Sequence, residues 1–210
     1  MTDTSQNNAS QSKTSPEPEA LDPRSDACEI FYKLPDGTDI CLRPITKWDK
    51  DLLREGVSNL SDRSRYLRFF TGAKTVPEPI LDRLVDVDPH NHIAWGAIDV
   101  SGSPARAIAA AHAIRIDGAQ TMEVALAVLD EYQSRGIARL LLFEIAKACE
   151  QNGIVDLTAE TLSENAGARR LFRALGGTAN YSSGPVVRYA FRVGLFKRNA
   201  QRLVAEIFSS

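Results

Sequence analysis

From Glu29 onward, apolar and polar positions fall into short periodic blocks. Glu29-Ile-Phe-Tyr-Lys-Leu and Asp39-Ile-Cys-Leu-Arg flank Pro35-Asp-Gly-Thr, which predicts a hairpin around a tight turn. Thr46 followed by Asp49 resembles a capping box, and Leu52, Leu53, Val57 and Leu60 then recur at helical spacing. Ser61 can start a second short helix reaching Phe70, and residues 77–85 read as a third with prolines in its first turn. After Asp88-Pro89 the period changes. Residues 92–100, 105–114 and 121–129 are apolar or alternating, separated by Ser-Gly-Ser and Asp-Gly turns, and predict an antiparallel meander of three strands. Residues 136–151 carry Ile137, Leu141, Ile145 and Cys149 on one helical face and stop at Asn152-Gly153. A short buried-type strand (154–160), a helix (165–175) ended by Gly176-Gly177, and a late strand (186–193) follow. Phe196, Ala200, Leu203, Val204 and Ile207 then define an apolar stripe, predicting an amphipathic C-terminal helix over 195–210 packed on the domain or on a second copy, as in a homodimer.

Residues 1–27 lack this periodicity. They are rich in Ser, Thr, Asn, Gln, Pro and Asp, bury too little to order the backbone, and are expected to form a disordered leader ahead of a domain over 28–194. The net charge of −2 then divides into an acidic leader and a domain near neutrality, which argues against nucleic acid as a partner. No apolar run approaches the ~20 residues a membrane span needs, and the polar start is no secretory signal, so neither membrane nor export is expected and the cytoplasm is the default location. Cys28, Cys41 and Cys149 are scattered, with no CxxC pair, and fit a reducing compartment. His90, His92 and His112 have no ligand spacing, so no metal is expected.

The informative segment is Glu123-Val-Ala-Leu-Ala-Val-Leu-Asp-Glu-Tyr-Gln-Ser-Arg-Gly-Ile-Ala, a strand running through a turn into a strongly amphipathic helix. It offers free backbone N–H groups at a helix N-terminus, where Gly136 permits close approach, Ala138 keeps the next turn small and the dipole favours an anion such as a pyrophosphate. Arg135 and Arg139 could add charge-assisted bonds. An ordinary strand–turn–helix with glycine at the turn explains the same residues equally well.

Gln133-Ser-Arg-Gly-Ile-Ala resembles the Q/R-x-x-G-x-G/A loop of the GNAT superfamily of acyl-CoA-dependent N-acyltransferases. Glu164-Asn-Ala-Gly-Ala-Arg-Arg-Leu-Phe-Arg-Ala-Leu-Gly-Gly resembles that superfamily's second signature, E-N-x-x-A-x-x-L-[YF]-x-x-L-G-F. The resemblance implies an α+β GNAT fold: a mixed, mostly antiparallel central sheet, splayed between the fourth and fifth strands of the family and flanked by helices. A narrower resemblance, carried by Leu60 to Phe70, Asp88 to Ala97 and Glu123-Val-Ala, is to the acetyltransferase domain of bacterial protein-lysine acetyltransferases. There the domain is fused to a nucleotide-binding or ligase-like module, and this chain is expected to be a stand-alone relative.

The resemblance implies acetyl-CoA as co-substrate and acetyl transfer to a primary amine, on a protein lysine or a small molecule. Backbone groups of Leu126 and Val128 would pair with the pantetheine arm as an added strand. Gln133, Ser134, Arg135, Gly136, Ile137 and Ala138 would hold the pyrophosphate, Asn165 would bond the pantetheine arm or simply cap its helix, and Arg169 would lie near the nucleotide end. Glu123 corresponds to the family's general base, although a carboxylate facing solvent from a strand is the plainer reading of the residue alone. Phe172 stands where many members carry a Tyr that protonates the leaving thiolate; Tyr132 and Tyr181 are weak substitutes. Arg63, Arg65 and Arg68 make the acceptor side basic, as a solvated helix face or as a site for acidic acceptors. The alternative function is a non-catalytic module that senses CoA or acetyl-CoA, or mediates an interaction.

Overall fold

A computed structural model of the chain describes residues 29–71, 73, 75–116, 119–181 and 184–209. The expected leader and Cys28 lie outside them. β1 (Ile30–Lys33) and β2 (Asp39–Pro44) form the hairpin; α1 (Lys50–Ser58), α2 (Asp62–Phe69) and α3 (Glu78–Val85) follow. The meander is β3 (His92–Asp99), β4 (Arg106–Arg115) and β5 (Thr121–Val128), and then come α4 (Ile137–Gln151), β6 (Asp156–Leu162), α5 (Ala166–Ala174), β7 (Thr178–Tyr181), β8 (Val186–Arg192) and α6 (Val193–Ile207).

The strands make one sheet in the order β1-β2-β3-β4-β5-β6-β8-β7. Every neighbouring pair is antiparallel except β5 with β6. That single parallel ladder covers only Thr121↔Asp156, Met122↔Leu157 and Glu123↔Thr158, and beyond it the two strands part. The core lies on the face covered by α4, where Leu140, Leu141, Leu142 and Ile145 are fully buried together with Met122, Val124, Leu157, Tyr189 and Phe196. α1 and α2 lie on the opposite face, over β4 and over β5 and β6 respectively. Among the described residues no helix is long and apolar enough to cross a membrane.

The Thr46–Asp49 capping box closes a 3-10 turn, Lys47–Asp49, rather than α1 itself. The Asp49 carboxylate also pairs with Arg43 at 2.6 and 2.9 Å, both side chains buried, so this box ties the first helix to β2. β7 is absent from the sequence pattern. The last helix leaves β8 without a loop, so it starts at Val193, and its stripe of Phe196, Ala200, Leu203 and Ile207 is buried, with α6 lying along α4.

Candidate active site

The parting of β5 from β6 leaves β5 backbone without a strand partner. The Leu129 N–H donates to the Ile108 carbonyl at 2.9 Å, in register with the Ala109↔Val128 and Ala111↔Leu126 pairs. Antiparallel ladders alternate, so Ala127 and Ala125 share the bonds to β4, and the N–H and C=O groups of Leu126 and Val128 point away from it into the gap. A cleft of about 510 Å³ opens there, bounded by β5, α2, the start of α4 and the start of α5. Leu126, Val128, Gln133, Ser134, Gly136, Ile137, Ala138 and Asn165 all line it, so eight of the ten proposed cofactor contacts meet in one cavity.

The loop is held from within. The Gln133 amide donates to the Val128 carbonyl (3.1 Å) and to Ser64 Oγ (3.2 Å), joining the loop to β5 and α2. Ser134 and Gly136 both adopt left-handed backbone, at φ 64° and 93°, a conformation that costs a serine free energy and recurs at ligand-binding loops. Arg139 and Leu140 N–H groups bond the Gly136 carbonyl. The amides of Ile137 and Ala138, ahead of them, have no acceptor within the helix, and they sit at its positive end. Gly136 has a reason beyond ligand approach: a methyl group placed there falls 2.5 Å from Ile207 Cδ1. Glycine lets α6 close over the start of α4.

Asn165 is a helix cap that also lines the cleft. Its Oδ1 accepts from the Ala168 N–H at 3.0 Å and caps α5, while its amide NH₂ remains available in the cleft.

Two arginines depart from expectation. Arg135 bonds Asp36 at 3.1 Å and lies over the Tyr132 ring, outside the cleft lining. Arg169 turns to the Ser163 carbonyl (2.7 Å) and to Tyr181, because its phase on α5 faces β7 and β8; Arg170 and Arg139 line the cleft instead.

Glu123 sits where the ladder ends, opposite Thr158 on β6 and Ile114 on β4. Glu160, two residues beyond Thr158, shares its face and is held by Arg188 Nε at 2.8 Å. Glu123 is exposed on β5 and is not among the residues that line the cleft; partial desolvation first, and the Glu160 charge second, hold its carboxyl above the usual carboxylate range, against the pull of Arg188 and Arg68. Glu123 makes no hydrogen bond or ion pair among the described residues, which leaves its oxygens free to accept a proton.

On the same face lies a pair that the sequence pattern does not reveal. His92 Nδ1 is 3.0 Å from the Asp86 carbonyl and His92 Nε2 is 3.0 Å from His112 Nδ1. A carbonyl only accepts, so neutral rings require His92 to donate through Nδ1 and His112 to donate through its own Nδ1. Burial lowers both, His112 far more. They are a neutral internal brace between β3 and β4.

Phe172 is buried against Tyr189 and Phe191, with ring centroids 5.4 and 5.9 Å away, and also touches the cleft. Tyr132 donates to Asp99 at 2.7 Å and Tyr181 meets Arg169 and Arg173, so neither tyrosine hydroxyl faces the gap between β5 and β6.

Residues 60–176, more than half of the chain, match the model of the acetyltransferase (GNAT) family. The chain belongs to the acetyltransferase (GNAT) family. The GNAT domain of S. lividans PAT superposes with a TM-score of 0.71 at 31% identity, covering 78% of this chain and 96% of that domain. Acetyltransferase Pat of Mycolicibacterium smegmatis is 30% identical over 136 residues, 64% of this chain but only 40% of Pat. An acetyltransferase of Pseudomonas aeruginosa is 25% identical over 143 residues, 68% of this chain and 77% of its own. The PaiA N-acetyltransferase of Thermoplasma acidophilum, solved with coenzyme A, shares the fold at 17% identity and a TM-score of 0.56. The family match and the curated relatives make this GNAT chain an acetyltransferase.

Proposed function

We propose that this acetyltransferase moves acetyl from acetyl-CoA directly to a primary amine, with Glu123 as general base. One observation carries the reading: a single cleft joins the unpaired edge of β5 to the free N-terminal amides of α4, and its strand leads to an unpaired carboxylate at Glu123. The cleft fits the co-substrate. Outward groups of Leu126 and Val128 match an extended diamide arm, with the Val128 carbonyl already engaged by Gln133. The amides of Ile137 and Ala138 suit a pyrophosphate, and Arg139 and Arg170 supply positive charge. Arg135 and Arg169 contribute to the loop and to α5 rather than to these contacts.

An ammonium of ordinary pKa ~10.4 costs about 4.6 kcal/mol to deprotonate at pH 7. A carboxylate raised by partial desolvation lies closer to the amine in basicity and removes that proton more readily, directly or through a water. The nitrogen then attacks the thioester carbon, the C–N bond forms, the C–S bond breaks and the thiolate departs. Phe172 has no proton to give, and a thiol pKa of ~8.5 makes the thiolate a tolerable leaving group. Protein lysines stand slightly ahead of small amines as acceptors, supported by the likeness to the PAT domain.

A thioester-release screen over small amines and over acidic and basic lysine peptides, with Glu123→Ala alongside, tests this. Turnover that Glu123→Ala abolishes while coenzyme A binding persists supports it; thioester release by Glu123→Ala at the parent rate removes Glu123 from the mechanism.

A further inference from the structure

α2 carries three arginines, and two have protein partners. Arg63 meets Glu164 at 3.7 Å, and Arg65 pairs with Asp62 and donates to the Leu60 carbonyl at 3.1 Å. Arg68 has no hydrogen bond or ion pair among the described residues. Its guanidinium lies 4.9 Å over the Phe69 ring. It nevertheless does not turn outward as Arg63 does: it lines the cleft beside Leu67, Leu126 and Phe172. On its far side it senses the charge of Glu123 and the imidazole of His112.

The guanidinium is partly buried, and its N–H donors, without a protein partner among the described residues, are placed to meet an anion in the cleft. Burial pulls Arg68 down to about 10, which still leaves it fully cationic at neutral pH. The place of the missing anion is constrained from two sides. The outward groups of Leu126 fix where the last amide of an extended arm would lie, and Glu123 marks where the attacking amine loses its proton. The thioester must come between them, and Arg68 lines the same cleft as Leu126 while its charge reaches Glu123.

Resting on the proposed function, we propose that Arg68 donates to the thioester carbonyl oxygen and stabilises the negative charge that develops there as the amine adds. The oxygen gains charge as the C–N bond forms and loses it as the C–S bond breaks, while Glu123 holds the proton released by the amine. Arg68 neither gives nor takes a proton. His112 is neutral and adds no competing charge, and Arg188, the other cation whose charge reaches Glu123, is paired with Glu160, which among the described residues leaves Arg68 as the cation there without a carboxylate partner. A preorganised donor of this kind acts only as charge develops, so its loss appears in kcat.

The test compares the parent with Arg68→Met and Arg68→Lys, measuring kcat and KM with acetyl-CoA and a responsive amine, coenzyme A affinity by calorimetry, and the pH profile. Arg68→Met is expected to lose about 10²–10³-fold in kcat with coenzyme A affinity within about threefold of the parent. Arg68→Lys, which keeps the charge, is expected to recover part of that loss. Removing the cation also lets Glu123 rise further, so the acidic limb of the profile moves to higher pH in Arg68→Met. Retention of kcat within about threefold overturns the proposal, as does a defect confined to the acceptor KM, which would assign Arg68 to an anionic group on the acceptor. A parent that prefers succinyl-CoA, with the preference abolished in Arg68→Met, overturns it in favour of an acyl carboxylate. If Arg68→Met does not fold, a fully active Arg68→Gln also overturns it. A parent that binds coenzyme A but acetylates no amine overturns the proposed function itself, an outcome separable from any Arg68 result.

Discussion

Replacing Gly136 with alanine separates two explanations of the same glycine. At φ 93°, alanine carries a left-handed backbone penalty of about 1–2 kcal/mol whatever surrounds it. The new methyl group also falls 2.5 Å from Ile207 Cδ1 and 2.8 Å from its Cγ1, on a buried residue in the last turn of α6. Overpacking of this kind costs a further ~1–3 kcal/mol. In a domain of this size each kcal/mol moves Tm by roughly 2–4 °C, so thermal unfolding followed by circular dichroism resolves either contribution. Gly136→Ala is therefore expected to lower Tm by several degrees. In an Ile207→Ala background the steric part vanishes, and the same substitution should cost only the backbone part. An unchanged cost in both backgrounds would refute the contact between α6 and the loop. A loss of coenzyme A affinity without any loss of stability would return Gly136 to a role in ligand approach alone.

Other outcomes follow from single contacts. Asp49→Asn breaks a buried bidentate pair and should destabilise the domain by about 3–5 kcal/mol in a denaturant titration. Burial alone pushes Asp49 up, but Arg43 and Thr46 more than offset it and hold the carboxyl below its ordinary range. Its contribution is thus present at neutral pH and lost as pH falls through that depressed pKa, a dependence that Asp49→Asn removes. Glu123 has the opposite sign, because a raised carboxyl stabilises the fold at low pH and loses that contribution as pH rises. Glu123→Gln should be more stable than the parent at neutral pH, with the advantage shrinking toward the acid end, as read by Tm against pH. Gln133→Ala loses the bonds to Val128 and Ser64, at about 0.5–1.5 kcal/mol each, and should weaken coenzyme A binding several-fold by calorimetry.

What could be read from residue order depended on how each feature is encoded. α4 and the three-strand meander carry periodicity over many residues, and they appear close to where it places them. β7, with the four residues Thr-Ala-Asn-Tyr mostly exposed, is a strand only because β8 pairs with it, and four residues without an apolar alternation give no local signal. The loop residues were legible because a glycine after a strand and before an apolar helix marks a helix N-terminus. Helix phase was not: Arg169 and Arg170 differ by about 100° around α5, and which one meets the cleft depends on how α5 sits against β8. The same holds for Arg68 among the arginines of α2. His92 and His112 lie 20 residues apart and meet through the β3–β4 register, in which His92 opposes Ile114 and His112 opposes Ala94. That register was implicit in the expected meander, but only pairing the strands residue by residue would have exposed it.

The most direct measurement of the central claim is acetyl transfer by Glu123→Gln beside the parent, from acetyl-CoA to the best amine found, with coenzyme A affinity measured on both proteins. A loss of about 10²–10⁴-fold in kcat at unchanged affinity is the expected result, with the parent losing rate at low pH as a carboxyl above the usual range protonates. Transfer by Glu123→Gln at the parent rate and with the parent's pH profile would contradict the account.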